Sequence, residues 1–299
     1  VFEVLRILLV LFTGRGYDRP SWLNHLHHKL SYRLHKLLPF FGIKGKVTLP
    51  LPFNKRITVL AEDGGVGHQF IMYRRYEPYE SGIVEKLLEP GMIVYNIGAN
   101  VGYYTILCSL FVEGRGKIYA FEPSPKNFAL LKENVEQNRL RNVELFPFAL
   151  ADREGSASLG ISTTNSGDHQ LFSSDTTRDT VEVQLMTVDS LIAHGLPKPN
   201  LILMDVQGAE AAIVEGMEKL LAEDSDLAII MEFWPGGIST SGFSSEEMLQ
   251  RLTAEGKREI LLIDERKKRL SPISVEKLLE TTPPGQERNL LIYRAKNAQ

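Results

Sequence analysis

The chain has 299 residues, 43% hydrophobic and 24% charged, ordinary globular proportions that exclude collagen-like, wholly disordered and polytopic membrane proteins. Its formal net charge of −3 hides an asymmetry, because residues 1 to 56 sum to +8 and the remainder to −11, a basic arm on an acidic body. The single cysteine, Cys108, excludes an intramolecular disulfide and a multi-thiolate metal site within one chain, and points to a reducing cytoplasm.

The run Val1–Phe12 is apolar but too short for a membrane span, which takes about 20 residues, and it carries Glu3 and Arg6. From Trp22 to Leu38, Leu23, Leu26, Leu30, Leu34, Leu37 and Leu38 recur at helical spacing, with Lys29, Arg33 and Lys36 as a separate basic stripe. Such an amphipathic helix either packs its leucines on the body or lies peripherally on an anionic membrane at the inner face. Pro39, Gly42, Gly45, Pro50 and Pro52 break the pattern. Alternation around Val47–Leu49 and Arg56–Leu60, followed by the turn-rich Glu62–Gly67, predicts a small β-hairpin.

After Ser81, strand and helix patterns alternate. Strands are expected at Met92–Ile97, Lys117–Phe121, Val143–Phe148, Leu201–Asp205, Leu227–Glu232, Glu259–Ile263 and Asn289–Arg294. Helices are expected at Tyr103–Val112, Pro125–Asn138, Ala209–Leu221 and Ser245–Glu255. This alternation implies an open, doubly wound α/β fold with a mostly parallel sheet. Three regions result: a basic helical extension over 1–45, a hairpin and link over 46–80, and the main domain over 81–299. Residues 151–180, polar and Ser/Thr-rich, exceed the usual connection of about 2–6 residues and predict an irregular hairpin at the mouth of the sheet.

The segment Val94–Gly102 (VYNIGANVG) puts a glycine-rich turn between the first strand and its helix, where a doubly wound sheet binds ligands. Twenty-four residues after Gly98, Glu122 ends the second strand, where a carboxylate can accept both hydroxyls of an adenosine ribose. The spacing Gly98-x-Asn100-x-Gly102 lacks the third glycine of a dinucleotide fingerprint, so S-adenosylmethionine, which has no phosphates, fits better than NAD(P).

Five blocks in order, Ile97–Gly102 (IGANVG), Phe121-Glu122-Pro123, Asn134–Asn138 (NVEQN), Ala149-Leu150 and Met204–Glu210 (MDVQGAE), resemble the FkbM family of S-adenosylmethionine-dependent methyltransferases over residues 78 to 235. The resemblance implies a class I methyltransferase fold, Rossmann-like, with a seven-stranded sheet whose last strand is antiparallel. It also implies methyl transfer to a hydroxyl of a sugar, glycolipid or related natural product. Carried over, Gly98, Asn100 and Gly102 would line the methionine and ribose part of the cofactor. Glu122 would hold the ribose, Ala149 would join the cofactor set, and Asp205 would stand beside the reacting centre. Asn96 stands where the family most often has an acid, and Gln207 where it often has Glu.

An alcohol acceptor must lose a proton, and three groups are expected near the strand ends to take it: Asp205, Glu232 and His169. Asp205 and Glu232 are also oxygen donors suited to a divalent cation, though no third ligand is visible. Trp234 is a candidate platform for a sugar. Two rival readings are a cofactor-binding module that has lost activity, with Asn96 as the warning, and an NAD(P)-dependent oxidoreductase. An acidic body and a leucine-rich arm argue against nucleic acid as a partner.

Overall fold

A computed structural model describes residues 21–36, 43–73, 76–171, 177–223, 226–253 and 257–294. The apolar run Val1–Phe12, together with Leu37 and Leu38, lies outside them. The chain opens with helix α1 (Ser21–Lys36), a hairpin of β1 (Lys46–Leu51) and β2 (Lys55–Leu60), and helices α2 (Val66–Tyr73) and α3 (Pro78–Leu87). The first alternating half follows: β3 (Ile93–Ile97), α4 (Tyr103–Phe111), β4 (Lys117–Phe121), α5 (Pro125–Gln137) and β5 (Val143–Phe146). A three-stranded interlude contains β6 (Ala149–Leu150), β7 (Gly155–Ile161) and β8 (Asp179–Met186). Then come α6 (Val188–Ala193), β9 (Leu201–Met204), α7 (Glu210–Glu215), α8 (Glu218–Glu223), β10 (Ala228–Phe233), α9 (Pro235–Thr240) and α10 (Ser245–Thr253). The described chain closes with β11 (Arg258–Asp264), β12 (Arg269–Pro272), α11 (Val275–Thr281) and β13 (Arg288–Arg294).

The central sheet runs β12-β11-β13-β10-β9-β3-β4-β5. Strands β5, β4, β3, β9 and β10 are parallel, and β13 is inserted antiparallel between β10 and β11. The seven expected strands are present, and β12 adds an eighth at the edge. Side chains alternate between the faces, as a pleated strand requires. Val94, Ile118, Leu201, Leu203 and Ile230 join Ile83, Leu107 and Cys108 of α3 and α4 in one apolar cluster. Tyr95, Tyr119, Phe121, Ile202, Met204 and Ile229 join Ala211 and Val214 of α7 in the other. Each such fully buried large side chain contributes roughly 1.5–3 kcal/mol, and two dry faces hold the strand ends in fixed register. Chain order reverses between β3 and β9, which pair in parallel up to Ile97 opposite Met204, so the crevice at their carboxyl ends is the expected ligand site.

Residues 62–80 differ from the expected link. Helix α2 is buried nearly all round, with Phe70 and Ile71 fully enclosed, so it shows no amphipathic period in the sequence. The helix expected over Ala209–Leu221 is broken into α7 and α8 at Gly216, where a Cβ would lie 2.0 Å from the Ala151 carbonyl oxygen. Asp189 caps the second piece by accepting from the Lys219 and Leu220 amides. The insertion is a regular antiparallel β7–β8 pair with an irregular tip.

The described half of the leucine stripe of α1 packs on the body rather than facing out. Leu30 and Leu34 join the cluster of the hairpin and α2, and Ser31 hydrogen-bonds Tyr73 at 2.6 Å. Lys29, Arg33 and Lys36 are exposed. Among the described residues no helix is long and apolar enough to cross a membrane.

Candidate active site

The turn after β3 is shaped by the neighbouring strand end. Gly98 has φ +77°, and a Cβ there would stand 1.9 Å from the Asp205 carbonyl oxygen, so only glycine lets β3 and β9 close together at the crevice. The Gly98 and Ala99 amides both donate to the Phe121 carbonyl. Asn100 adopts φ +51°, a left-handed conformation that Asn tolerates better than most residues. Its backbone N–H donates to Glu122 at 2.8 Å.

Two cavities meet at this turn, and Gly98, Asn100 and Asp205 line both. They enclose about 580 and 620 Å³, mouths included, the size range of small-molecule sites. Besides these shared residues, the first holds Glu122, Ala149 and His169, together with apolar walls from Phe148, Leu150 and Leu159. Glu122 is 5% exposed and accepts from the Asn100 and Ser124 amides, one on each oxygen. The Asn127 side chain bears on the same carboxylate, whose roughly four lone-pair sites are not exhausted by these three donors. Burial pushes the carboxyl up to about 7, against the pull of those amides. Asn127, in the first turn of α5, also lines this cavity; its Nδ2 donates to the Ser166 carbonyl, and its buried Oδ1 has no protein partner. A buried acceptor left open on a cavity wall is suited to a ligand's hydroxyl or amine.

The second cavity is acidic. Glu77 and Glu80, which bracket the start of α3, share the Tyr104 hydroxyl and the Asn289 amide as donors, at 2.6 to 3.1 Å. Asp205 and Glu232 complete the carboxylates, and among the described residues no Lys or Arg lines either cavity. Phe70, Tyr76, Tyr103 and Tyr104 supply aromatic walls. Burial, reinforced by mutual repulsion, raises the Glu77 and Glu232 carboxyls well above the usual range, and burial chiefly raises Glu80. Asn96 lies in the same cavity, 4% exposed, with its Nδ2 donated to Thr105 at 2.8 Å.

Asp205 stands where the cavities join, reached by solvent through the crevice yet crowded by protein, and the crowding raises its carboxyl. Gln207 links it to Glu232, donating to both carboxylates. Among the described residues no three His, Cys, Asp or Glu side chains converge as a metal set. His169 faces the first cavity from the β7–β8 tip; its Nδ1 accepts from the Ser162 amide, and burial lowers its pKa.

Two of the expected residues have other settings. Gly102 lines neither cavity; its φ of +93° starts α4, and a Cβ would stand 2.6 Å from Leu131, so its constraint is helix packing. Trp234 donates Nε1–H to the Pro284 carbonyl and covers Gly237, away from both cavities. His169 and Glu232 face different cavities. Sequence reasoning missed Glu77, Glu80 and Asn127. Asn127 had a signal, since it follows the proline that opens α5.

A model of the methyltransferase FkbM domain matches residues 96–259, more than half of the chain. The chain belongs to the FkbM methyltransferase family. Relatives include the hexuronic acid methyltransferase AglP of Haloferax volcanii, 27% identical over 48% of this chain and 58% of that protein. The 31-O-demethyl-FK506 methyltransferase FkbM of Streptomyces tacrolimicus is 26% identical over 44% and 61%, and the 2-O-methyltransferase NoeI of Sinorhizobium fredii is 26% identical over 47% and 63%. The chain thus spans about three-fifths of the length of these relatives. A crystal structure of a methyltransferase FkbM from Methylobacillus flagellatus aligns with a TM-score of 0.44 at 12% identity, over 97% of this chain and 58% of that one. The FkbM match begins at Asn96, so Glu77, Glu80 and the elements before them lie outside it.

Proposed function

We propose that the chain is an S-adenosylmethionine-dependent O-methyltransferase acting on a hydroxyl of a sugar, glycolipid or related natural product. The observation that carries this reading is the contrast in charge between the joined cavities. Apart from the shared Asp205, the first has apolar walls and one carboxylate, Glu122, and the second has three, Glu77, Glu80 and Glu232. S-adenosylmethionine has the same contrast, an uncharged adenosine and a part with a cationic sulfur and ammonium. The pyrophosphate of NAD(P) would meet Asp205 and the acidic cavity, which disfavours the dinucleotide.

When bound, the cofactor supplies a methyl group on a positively charged sulfur. In this reading Glu122 accepts from the ribose hydroxyls, and Asn127 Oδ1 offers a further acceptor beside it. Phe148, Leu150 and Leu159 flank the base. Glu77 and Glu80 face the cationic end, where Asn96 brings no charge, and their presence there supports this reading over that of a degenerate binding module. Asp205, at the junction, takes the acceptor's hydroxyl proton; its raised pKa makes it a better base than an ordinary aspartate. The crevice around Asp205 would hold the acceptor oxygen in line with that methyl group, with the sulfur as leaving group retaining the bonding pair. The sugar class is supported by the hexuronic acid and 2-O activities in the names of two relatives.

Calorimetry decides the cofactor. Micromolar binding of S-adenosylmethionine and none of NAD(P) is expected, and no heat with millimolar S-adenosylmethionine would overturn the reading. Transfer of a labelled methyl group to neutral and acidic sugar acceptors then tests the hydroxyl acceptor.

A further inference from the structure

We infer that Asp63, in the segment before α2 and outside the family match, is a positioning residue that sets one wall of the cofactor cavity through Ser166. The inference rests on the cofactor reading of that cavity. Asp63 is 9% exposed, and both its oxygens are fully used. Oδ1 accepts from the backbone N–H groups of Gly65 and Ser166, at 3.2 and 2.8 Å, and Oδ2 from the Gly67 N–H and the Ser166 hydroxyl, at 2.6 and 2.7 Å. Half of this set is local and organises the start of α2. The other half reaches 103 residues along the chain to the tip of the β7–β8 pair.

Ser166 is held from the opposite side as well. Its carbonyl accepts from the Asn100 and Asn127 side chains, at 3.0 and 2.9 Å, and Ser166 and Gly167 line the first cavity. The Ser166 peptide is therefore clamped between the N-terminal module and the two asparagines of the cofactor site. The approach is tight by construction. The Gly64 N–H donates to the Thr164 carbonyl at 2.9 Å, and a Cβ on Gly65 would stand 1.6 Å from Asn165 Oδ1. A polar tip of this kind has few apolar contacts to hold it, so hydrogen bonds to a buried carboxylate dominate its placement. Releasing them lets Ser166 withdraw and leaves the Asn100 and Asn127 side chains on the cavity wall without the acceptor they share.

The consequence is that the N-terminal module, which the family match does not include, is part of the cofactor site. Helix α1 bears on α2 through the Ser31–Tyr73 hydrogen bond, and the contact continues through Asp63 to Ser166.

The test compares Asp63→Asn, Ser166→Ala and the double variant with the intact chain by calorimetry with S-adenosylmethionine, alongside hydrogen exchange of residues 162–171 in the free protein. Asp63→Asn is expected to weaken binding about tenfold, as removal of charge-assisted hydrogen bonds does, and to speed exchange at the tip. Ser166→Ala is expected to weaken it less, and the double variant to be no weaker than Asp63→Asn, because both act through one contact. Unchanged affinity in Asp63→Asn with a lowered melting temperature would overturn the inference, leaving a purely structural Asp63. If Asp63→Asn does not fold, unchanged affinity and unchanged tip exchange in Ser166→Ala overturn it instead. If the intact chain binds no S-adenosylmethionine, the cofactor reading fails, and tip exchange alone still decides whether Asp63 holds Ser166.

Discussion

The two cavities share Gly98, Asn100 and Asp205 and otherwise have little in common. In the first, the Glu122 carboxylate is held locally: it directly follows β4, and its backbone donors Asn100 and Ser124 belong to the turns beside it. The second is assembled from distant chain segments, since the donor shared by Glu77 and Glu80, Asn289, is more than 200 residues away. The difference teaches that a carboxylate placed by a strand end is written into short motifs, whereas a cluster of carboxylates is a property of the assembled fold.

The largest effect is expected where both cavities depend on one residue. Gly98→Ala forces a Cβ against the Asp205 carbonyl in a left-handed backbone, so it should destabilise the protein by about 3 kcal/mol in urea denaturation and abolish cofactor binding. Glu122→Ala should lower affinity for S-adenosylmethionine and for S-adenosylhomocysteine alike, by about 100-fold, since it removes acceptors from the part common to both. By contrast, Glu77→Gln combined with Glu80→Gln should cost about tenfold for S-adenosylmethionine and little for S-adenosylhomocysteine, which has no charge on sulfur. Equal losses for the two ligands would break the proposed division between the cavities.

The smallest effect is that of pH. With the Glu122 carboxyl at about 7, affinity should hold above pH 8 and fall at least about fivefold between pH 7 and 6 as the carboxylate is protonated, a trend reduced in Glu122→Gln, where Glu80, also raised to about 7, still titrates. Folding responds with the opposite sign. A carboxyl raised in the folded state contributes stability that is complete below its unfolded value near 4.5 and is lost as pH rises through about 7. The intact chain should therefore lose melting temperature relative to Glu122→Gln between about pH 5 and 7, and little more above that. Glu210, fully buried and raised to about 8, acts in the same direction in both proteins and cancels from the comparison.

The parallel core was readable because its strands are apolar runs bounded by turn residues: Lys117–Phe121 appears at its expected limits, and β3, β9 and β10 lie within one residue of theirs. Glu122 was readable for a related reason, as its place at a strand end fixes what it can reach. Helix α2 was not, because a segment enclosed on every side loses the polar face that gives a helix its period. Glu77 and Glu80 were not, because isolated carboxylates beside Pro78 read as solvated until Tyr104 and Asn289 are brought to them. Gly102 shows the converse limit: a glycine inside a ligand motif was assigned to the ligand, whereas Leu131 is what it accommodates.

The added strand β12 bears on how the molecule meets its own kind. It is four residues long, it is the outermost strand beyond β11, and it presents Arg269 and Pro272, both exposed. Proline has no N–H to offer an incoming strand, and a short charged border is a poor template for further pairing. The otherwise open flank of an eight-stranded sheet thus ends in a border that discourages edge-to-edge growth into aggregates.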